Sequence, residues 1–376
     1  MLPAACESSS VAVRVCGNAP SSFCFPCMLR LSDNSFRFFS LGSSMSVGSS
    51  LREQYDRDGY IVLPSTTIPL ELLARLQVAA DKAIGLGKTG EWGQVRRTPS
   101  GSVWGINNVT HPEMTAAISP THTNPFLEYM ALDGILGTCA TLLGVELPSE
   151  VSSSTPQGLQ WELCNLLCMP EHPYRLAWHR DYVDIECMHG DAEAAELEKQ
   201  NSRARGVQWN TALYADCCFI FVPGSHRRPK TAEESRLLAT GPKDTVVLPG
   251  QQIVHLLPGE TVMYEANLLH RGEYAGHPTP RATLHACVGD ASTGHHRVYV
   301  VAKSSGVDWT SASRFIAELP SQLRIPIANL WANQKRAETE LTGTDSVAAA
   351  VAHHNARADV STFGLVGNKD SLPKDA

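Results

Sequence analysis

The feature that most constrains this chain is its texture between Gly158 and Val301, where short β-type runs are separated by Gly and Pro. The runs fall at 158–168, 174–183, 206–214, 218–222, 245–248, 252–256, 261–265 and 281–288. Eight or so short strands at such spacing predict a sandwich or barrel. The flanks read differently. Ser50-Leu51-Arg52-Glu53 has capping-box spacing and predicts a short helix ending near Gly59, followed at once by a strand Tyr60–Leu63. Pro69 suits the first position of a helix carrying Leu72, Leu73, Leu76, Ala80 and Ile84, closed by Gly85. A further helix is predicted from Asn124-Pro125 through Phe126, Met130 and Leu136 to Gly144. Between the second and third β-runs, Asp191 to Arg203 is acidic, Ala-rich and helix-prone, and reads as a surface insertion or lid. After residue 310 the pattern returns to polar helix, then to a tail of low hydrophobicity from about Gly343.

Composition narrows the classes. Of 376 residues, 43% are hydrophobic and 18% charged, enough apolar surface for a sizeable core. The net charge of -7 gives no positive field to attract a phosphate backbone, so nucleic acid is not an expected partner. No apolar run reaches the roughly 18 residues of a membrane span. The 11 cysteines form no disulfide framework, and Cys24-Phe-Pro-Cys27 has neither a second CxxC nor a His pair to make a zinc site. Residues 1–49 are Ser-rich, bear Arg and have few acids, as in a disordered or targeting tail. The chain is therefore expected in the cytoplasm, or in mitochondria if residues 1–44 are a transit peptide; Met45 is an alternative start. Residues 50–320 would form the catalytic domain, and 321–376 a C-terminal helical extension and tail.

The chemistry concentrates in Ala177-Trp178-His179-Arg180-Asp181-Tyr182. Residues i and i+2 of a strand face the same side, so His179 and Asp181 present an imidazole nitrogen and a carboxylate oxygen to one point. His270 follows 89 residues after Asp181, and Arg281 another 11 residues on, at the start of a predicted strand. Two His and one carboxylate on one face, with three coordination positions open, is the facial triad of non-haem Fe(II) oxygenases, and the Arg fork matches a carboxylate. His226, in a Pro-Gly-Ser-His turn, reads as structural. Trp209 alternates onto a face that either lines the barrel mouth, contacting cosubstrate or substrate, or packs in the core. Trp104 to Asn108, with Arg96-Arg97 upstream, is either a surface loop or part of a pocket.

The chain resembles the phytanoyl-CoA dioxygenase family of Fe(II)/2-oxoglutarate-dependent oxygenases. The resemblance rests on Asp58-Gly59-Tyr60-Ile61-Val62, His179-Arg180-Asp181, Phe221-Val222-Pro223-Gly224-Ser225-His226, and His270 followed by Arg281, and runs from Leu51 to about Val288. It implies a mainly β protein with flanking helices around a double-stranded β-helix, a cupin-like jelly roll. It implies further that His179, Asp181 and His270 bind Fe(2+), and that Arg281 binds the distal carboxylate of 2-oxoglutarate. The reaction implied is O2-dependent oxidation of an unactivated C–H bond in a small-molecule or acyl substrate, with decarboxylation of 2-oxoglutarate to succinate and CO2. Two departures stand out: Gly272 occupies the place where a hydroxyl often helps hold the cosubstrate, and the segment around 190–203 has no family counterpart. The alternatives are a non-catalytic jelly-roll protein binding a metabolite, and a cupin-like metalloenzyme without 2-oxoglutarate.

Overall fold

The structure, a computed structural model, describes residues 47–119, 123–150, 155–241, 245–274, 280–297, 319–341 and 364–365. All belong to one of the two units into which the chain divides, Met45–Ala376. The tail 1–46, including Cys24-Phe-Pro-Cys27 and the transit-peptide expectation, lies outside the described residues.

Eight of the β segments pair as two facing antiparallel sheets. In the larger sheet, β4 (Leu159–Cys168), β10 (Ala282–Asp290), β5 (Gly206–Ala212) and β8 (Thr261–Glu265) are neighbours in that order. The smaller sheet runs β7 (Gln252–Ile253), β6 (Phe219–Phe221), β9 (His270–Gly272). The segment Arg175–Asp181 extends it, through bridges Arg175 to Glu273 and His179 to His270. Successive strands alternate between the two sheets, except that β6 and β7 pair with each other in the smaller one, which is the winding of a double-stranded β-helix. The larger sheet continues at one edge into β1 (Tyr60–Leu63) on β8, and at the other into β3 (Val103–Ile106), β2 (Val95–Arg97) and β11 (Gly364–Leu365).

Helices cover the outer face of this sheet. They are α1 (Val47–Asp58), α2 (Leu70–Thr89), α3 (Pro112–Ile118), α4 (Pro125–Met130), α5 (Asp133–Leu143) and α8 (Ser321–Glu340); α6 (Gly190–Arg203) and α7 (Ala232–Thr240) lie by the smaller sheet's turns. Their apolar stripes meet Trp161, Cys164, Leu166, Val207 and Trp209 in one core. No helix among the described residues is long and apolar enough to cross a membrane.

Several predicted boundaries move. α1 begins at Val47 rather than Ser50, and α2 runs past Gly85 to Thr89. Gly85 borders open space, so nothing stops the helix there, whereas Gly90 takes the left-handed conformation (φ 87°) that ends it. The helix predicted over 125–144 is two, α4 and α5, broken at Ala131-Leu132. Residues 245–248 are not a strand: Val246 and Leu248 bury their side chains in a satellite cluster, without a ladder. Conversely, β9 is a strand that hydropathy misses.

Candidate metal centre

The strand segment carrying His179 and Asp181 is fixed by reciprocal backbone bonds between His179 and His270, both 3.0 Å, and by Asp181 N donating to the Ala266 carbonyl at 3.0 Å. This pairing places the two imidazoles side by side, with ring centroids 4.3 Å apart. The ligand atoms of His179, Asp181 and His270 all lie within 4.8 Å of one another, the one such cluster among the described residues. His179 Nδ1 is 2.8 Å from the Ala177 carbonyl and His270 Nδ1 is 2.7 Å from the Leu268 carbonyl. A carbonyl only accepts, so both Nδ1 atoms carry the proton and Nε2 is the nitrogen of each ring whose lone pair could ligate a metal. Gln208 Nε2 donates to Asp181 Oδ2, holding the carboxylate in place. Two imidazoles and one carboxylate with oriented outer partners fit a divalent transition metal with vacant positions for other ligands.

The back of the same segment explains its rigidity. Arg180, between the two ligands, points away from them and is 1% exposed. Its Nε pairs with Glu193 at 3.2 Å, Nη1 donates to the Ser225 carbonyl at 2.7 Å and also to the Asn267 carbonyl, and Nη2 to the Arg228 carbonyl at 3.0 Å. One guanidinium thus ties the His179 segment to the Pro223–His226 turn and to the loop before His270. Burial lowers the Arg180 guanidinium from its ordinary value, against the opposing pull of Glu193. Glu193 lies on α6 and also pairs with Lys230 at 2.9 Å. The 191–203 segment is a helix with most of its residues at the surface, as expected of a surface insertion, and it is anchored in the interior at Glu193 and Leu197. In the turn, Ser225 Oγ accepts from Leu269 N at 2.8 Å, and the buried His226 bonds the Asp56 carbonyl through Nε2 at 3.2 Å. His226 is structural, as its motif suggests.

The triad opens into a cavity of about 710 Å3, including the part open to solvent. Arg281 lines it from the start of β10. Arg281 Nε pairs with Asp216 at 2.9 Å, its Cζ lies 4.7 Å from the Tyr274 ring centroid, and its Nη1 has no hydrogen-bond partner. Burial raises the Asp216 carboxyl, but Arg281, Thr283 Oγ1 and Cys218 N outweigh it and hold the group below the usual carboxylate range. The departure at Gly272 has a structural counterpart. A Cβ there would lie 3.0 Å from Tyr274 Cε2 and 3.2 Å from its hydroxyl, so the phenol occupies the space of a side chain at that position.

Trp209 is not in this cavity. On β5, Gln208 and Asn210 line it, so Trp209 faces the helices, fully buried, with Nε1 donating to the Tyr129 hydroxyl at 2.8 Å. The expectation of a cosubstrate contact is corrected by strand alternation. Sequence reasoning missed Gln208, Asn210, His285, Asp216 and Tyr274, all of which line or brace the cavity. The only local signal was polar Gln208 and Asn210 alternating with apolar neighbours. Arg96 and Trp104 do line the cavity, which decides against a surface loop.

No family model matches the chain, and no curated protein matches it. Among solved structures it is similar to EctD from S. alaskensis with 2-oxoglutarate and 5-hydroxyectoine, at 18% identity over 68% of this chain and 80% of that one, TM-score 0.46. It is also similar to SnoN, a non-heme alpha ketoglutarate dependent epimerase from nogalamycin biosynthesis, at 17% identity over 65% and 84%, TM-score 0.43. A third is AviO1 from Streptomyces viridochromogenes Tue57, at 17% identity over 66% and 97%, TM-score 0.44.

Proposed function

We propose that the chain is an Fe(II)/2-oxoglutarate-dependent oxygenase that oxidises an unactivated C–H bond of a small-molecule or acyl substrate. The observation that carries this reading is a single cavity holding both the His179–Asp181–His270 cluster and a buried guanidinium with an unpartnered Nη1. A metal-binding jelly roll that needs no oxoacid has no use for that Nη1: Asp216 answers the charge through Nε, but a buried donor without an acceptor is costly until a ligand supplies one. Likeness to the phytanoyl-CoA dioxygenase motifs supports the same assignment.

His179, Asp181 and His270 would hold Fe(II), which, when bound with 2-oxoglutarate and O2, supplies the oxidising power for the decarboxylation-coupled reaction. The chain's own residues bind and orient. The Ala177 and Leu268 carbonyls keep the protons on Nδ1, and Gln208 fixes Asp181. Arg281, aimed by Asp216, receives the far carboxylate of 2-oxoglutarate through Nη1. Tyr274, filling the space beside Gly272, offers its hydroxyl as the second polar contact. Leu163, Leu167, Leu176 and Phe219 keep the wall apolar and limit water.

The test is an anaerobic titration of Fe(II) and then 2-oxoglutarate, read by visible charge-transfer absorbance. Wild-type protein should bind both, and His179→Ala, Asp181→Ala or His270→Ala should lose iron while staying folded. Arg281→Lys should keep iron and weaken 2-oxoglutarate roughly ten- to a hundred-fold, the cost of one charge-assisted bond. Iron binding without any 2-oxoglutarate response would point to the cupin-like alternative, and no metal binding to the metabolite-binding one.

A further inference from the structure

The cavity holds more hydrogen-bond donors than one cosubstrate needs. Arg281 serves one end, while Arg96, on β2, lines the cavity as a second buried guanidinium, 7% exposed. Its Nε donates to Asn107 Oδ1 at 3.1 Å and its Cζ lies 5.4 Å from the Trp104 ring centroid. Trp104, 1% exposed on β3, also lines the cavity, and its Nε1–H has no partner. A buried indole N–H without an acceptor is unusual and destabilising.

The local backbone is arranged to send Arg96 there. Gly105 faces Arg96 in the β2–β3 register, and a Cβ at 105 would lie 3.1 Å from Arg96 Cδ and 3.3 Å from its Cβ. The aliphatic stem thus lies across the place that a side chain at 105 would fill. Two acceptors of the cavity are engaged, Asp181 Oδ2 by Gln208 and Asn210 Oδ1 by His285 at 3.0 Å. What complements the remaining surface is a ligand rich in acceptors.

We propose that Trp104 Nε1 and Arg96 form an oxyanion subsite, and that the substrate is an acidic small molecule bearing a carboxylate or phosphate monoester. This rests on the oxygenase reading for the word substrate; the subsite itself needs only the side chains. Leu163, Leu167 and Leu176 suit an aliphatic body behind the acidic head.

The experiment titrates hexanoate, hexyl phosphate and the neutral hexanamide into Fe(II) protein saturated with 2-oxoglutarate under nitrogen, by calorimetry. At least one acid should bind roughly tenfold or more tightly than the amide, and the tighter acid identifies the head group. Arg96→Gln should remove that preference and Trp104→Phe reduce it several-fold, with 2-oxoglutarate affinity changed less than about twofold. Gly105→Ala, which displaces the Arg96 stem without touching its charge, should also lower it, and guards against misfolding of Arg96→Gln. Acids that bind no better than hexanamide, or not at all, overturn the subsite. So does an Arg96→Gln protein whose loss falls on 2-oxoglutarate instead. Repeating the titration on metal-free Arg281→Gln protein separates the two readings: an acid preference that persists where Fe(II) and 2-oxoglutarate fail to bind in wild type leaves the subsite standing and sinks the oxygenase reading alone.

Discussion

The two faces of the segment Ala177–Tyr182 are built on opposite terms. Inward, His179 and Asp181 each have an outer partner that orients them, and they line a cavity with Arg281 and Trp104, whose Nη1 and Nε1 lack hydrogen-bond partners. Outward, Arg180 meets a carboxylate and three carbonyls, and α6 supplies Glu193 and Leu197 to bury it. A site that binds needs groups unsatisfied until the ligand arrives. The cost of carrying them is borne by a scaffold in which every nitrogen of the Arg180 guanidinium is paired. The comparison predicts that substitutions behind the segment act on stability, and those in front act on binding.

The largest effect should come from Arg180→Met. It leaves the Ser225, Asn267 and Arg228 carbonyls short of a donor and Glu193 with Lys230 alone, which should cost about 3–5 kcal/mol of unfolding free energy by urea titration. His179→Ala measured alongside should cost far less stability and lose iron. Equal losses of stability from the two would break the distinction between the faces.

His226 carries the same logic to pH. Burial pushes its imidazole down to about 4, with the bond to the Asp56 carbonyl only partly opposing that. The unfolded chain, with an ordinary His near 6.5, therefore binds the proton first as pH falls. Stability contributed by neutral His226 is complete above about 6.5 and declines between about 6.5 and 4, by up to about 3 kcal/mol. Urea midpoints from pH 7 down to 4 should show this slope, and His226→Gln should flatten it. An unchanged slope in the variant would assign the acid sensitivity elsewhere.

The candidate ligands were legible because their signal is local: two residues apart on a strand, or a His followed at short range by an Arg. Arg281's partner was not, since Asp216 lies 65 residues away and meets it only when two strands fold together. Alternation also misleads when its phase is unknown. β4 is buried along its whole length and changes phase at a bulge opposite Cys287/Val288, so Trp161 joins the helix-side core while Leu163 faces the cavity. The same ambiguity left both faces open for Trp209. β9 is invisible to hydropathy because it reads His-Arg-Gly; its two neighbours, β6 and the His179 segment, make it a strand. In the opposite sense, Thr245-Val-Val-Leu looks like a strand and is not, because Trp178 Nε1 takes the Val246 carbonyl at 2.9 Å.

On the cavity side, Asp216→Asn sharpens the contrast between orientation and charge. Asparagine keeps the shape but removes the charge that holds Arg281, which burial otherwise disfavours. Affinity for 2-oxoglutarate should fall roughly tenfold, equivalent to about 1.4 kcal/mol, while iron affinity holds. An equal loss of iron would mean that Asp216 supports the whole barrel mouth instead of one side chain.

The smallest effect tests whether the phenol beside Gly272 does the work of a missing hydroxyl. Burial raises the Tyr274 phenol above its usual value, against the neighbouring Arg281, so it is a neutral donor at every working pH. Tyr274→Phe keeps the ring that packs 4.7 Å from the Arg281 Cζ and that stacks on Tyr174, and deletes one oxygen. A neutral hydrogen bond is worth about 0.5–1.5 kcal/mol, so 2-oxoglutarate affinity should fall roughly two- to tenfold, with stability nearly unchanged. Gly272→Ser alone should be harmful, because its side chain meets the phenol. Gly272→Ser combined with Tyr274→Phe puts a hydroxyl back without the phenol oxygen, though the introduced side chain must still displace the ring edge. Partial rescue of 2-oxoglutarate binding in the double variant would show that the two positions supply one contact. Additive losses would show that Tyr274 serves only to pack Arg281, and the binding side of the comparison would then rest on Arg281 alone.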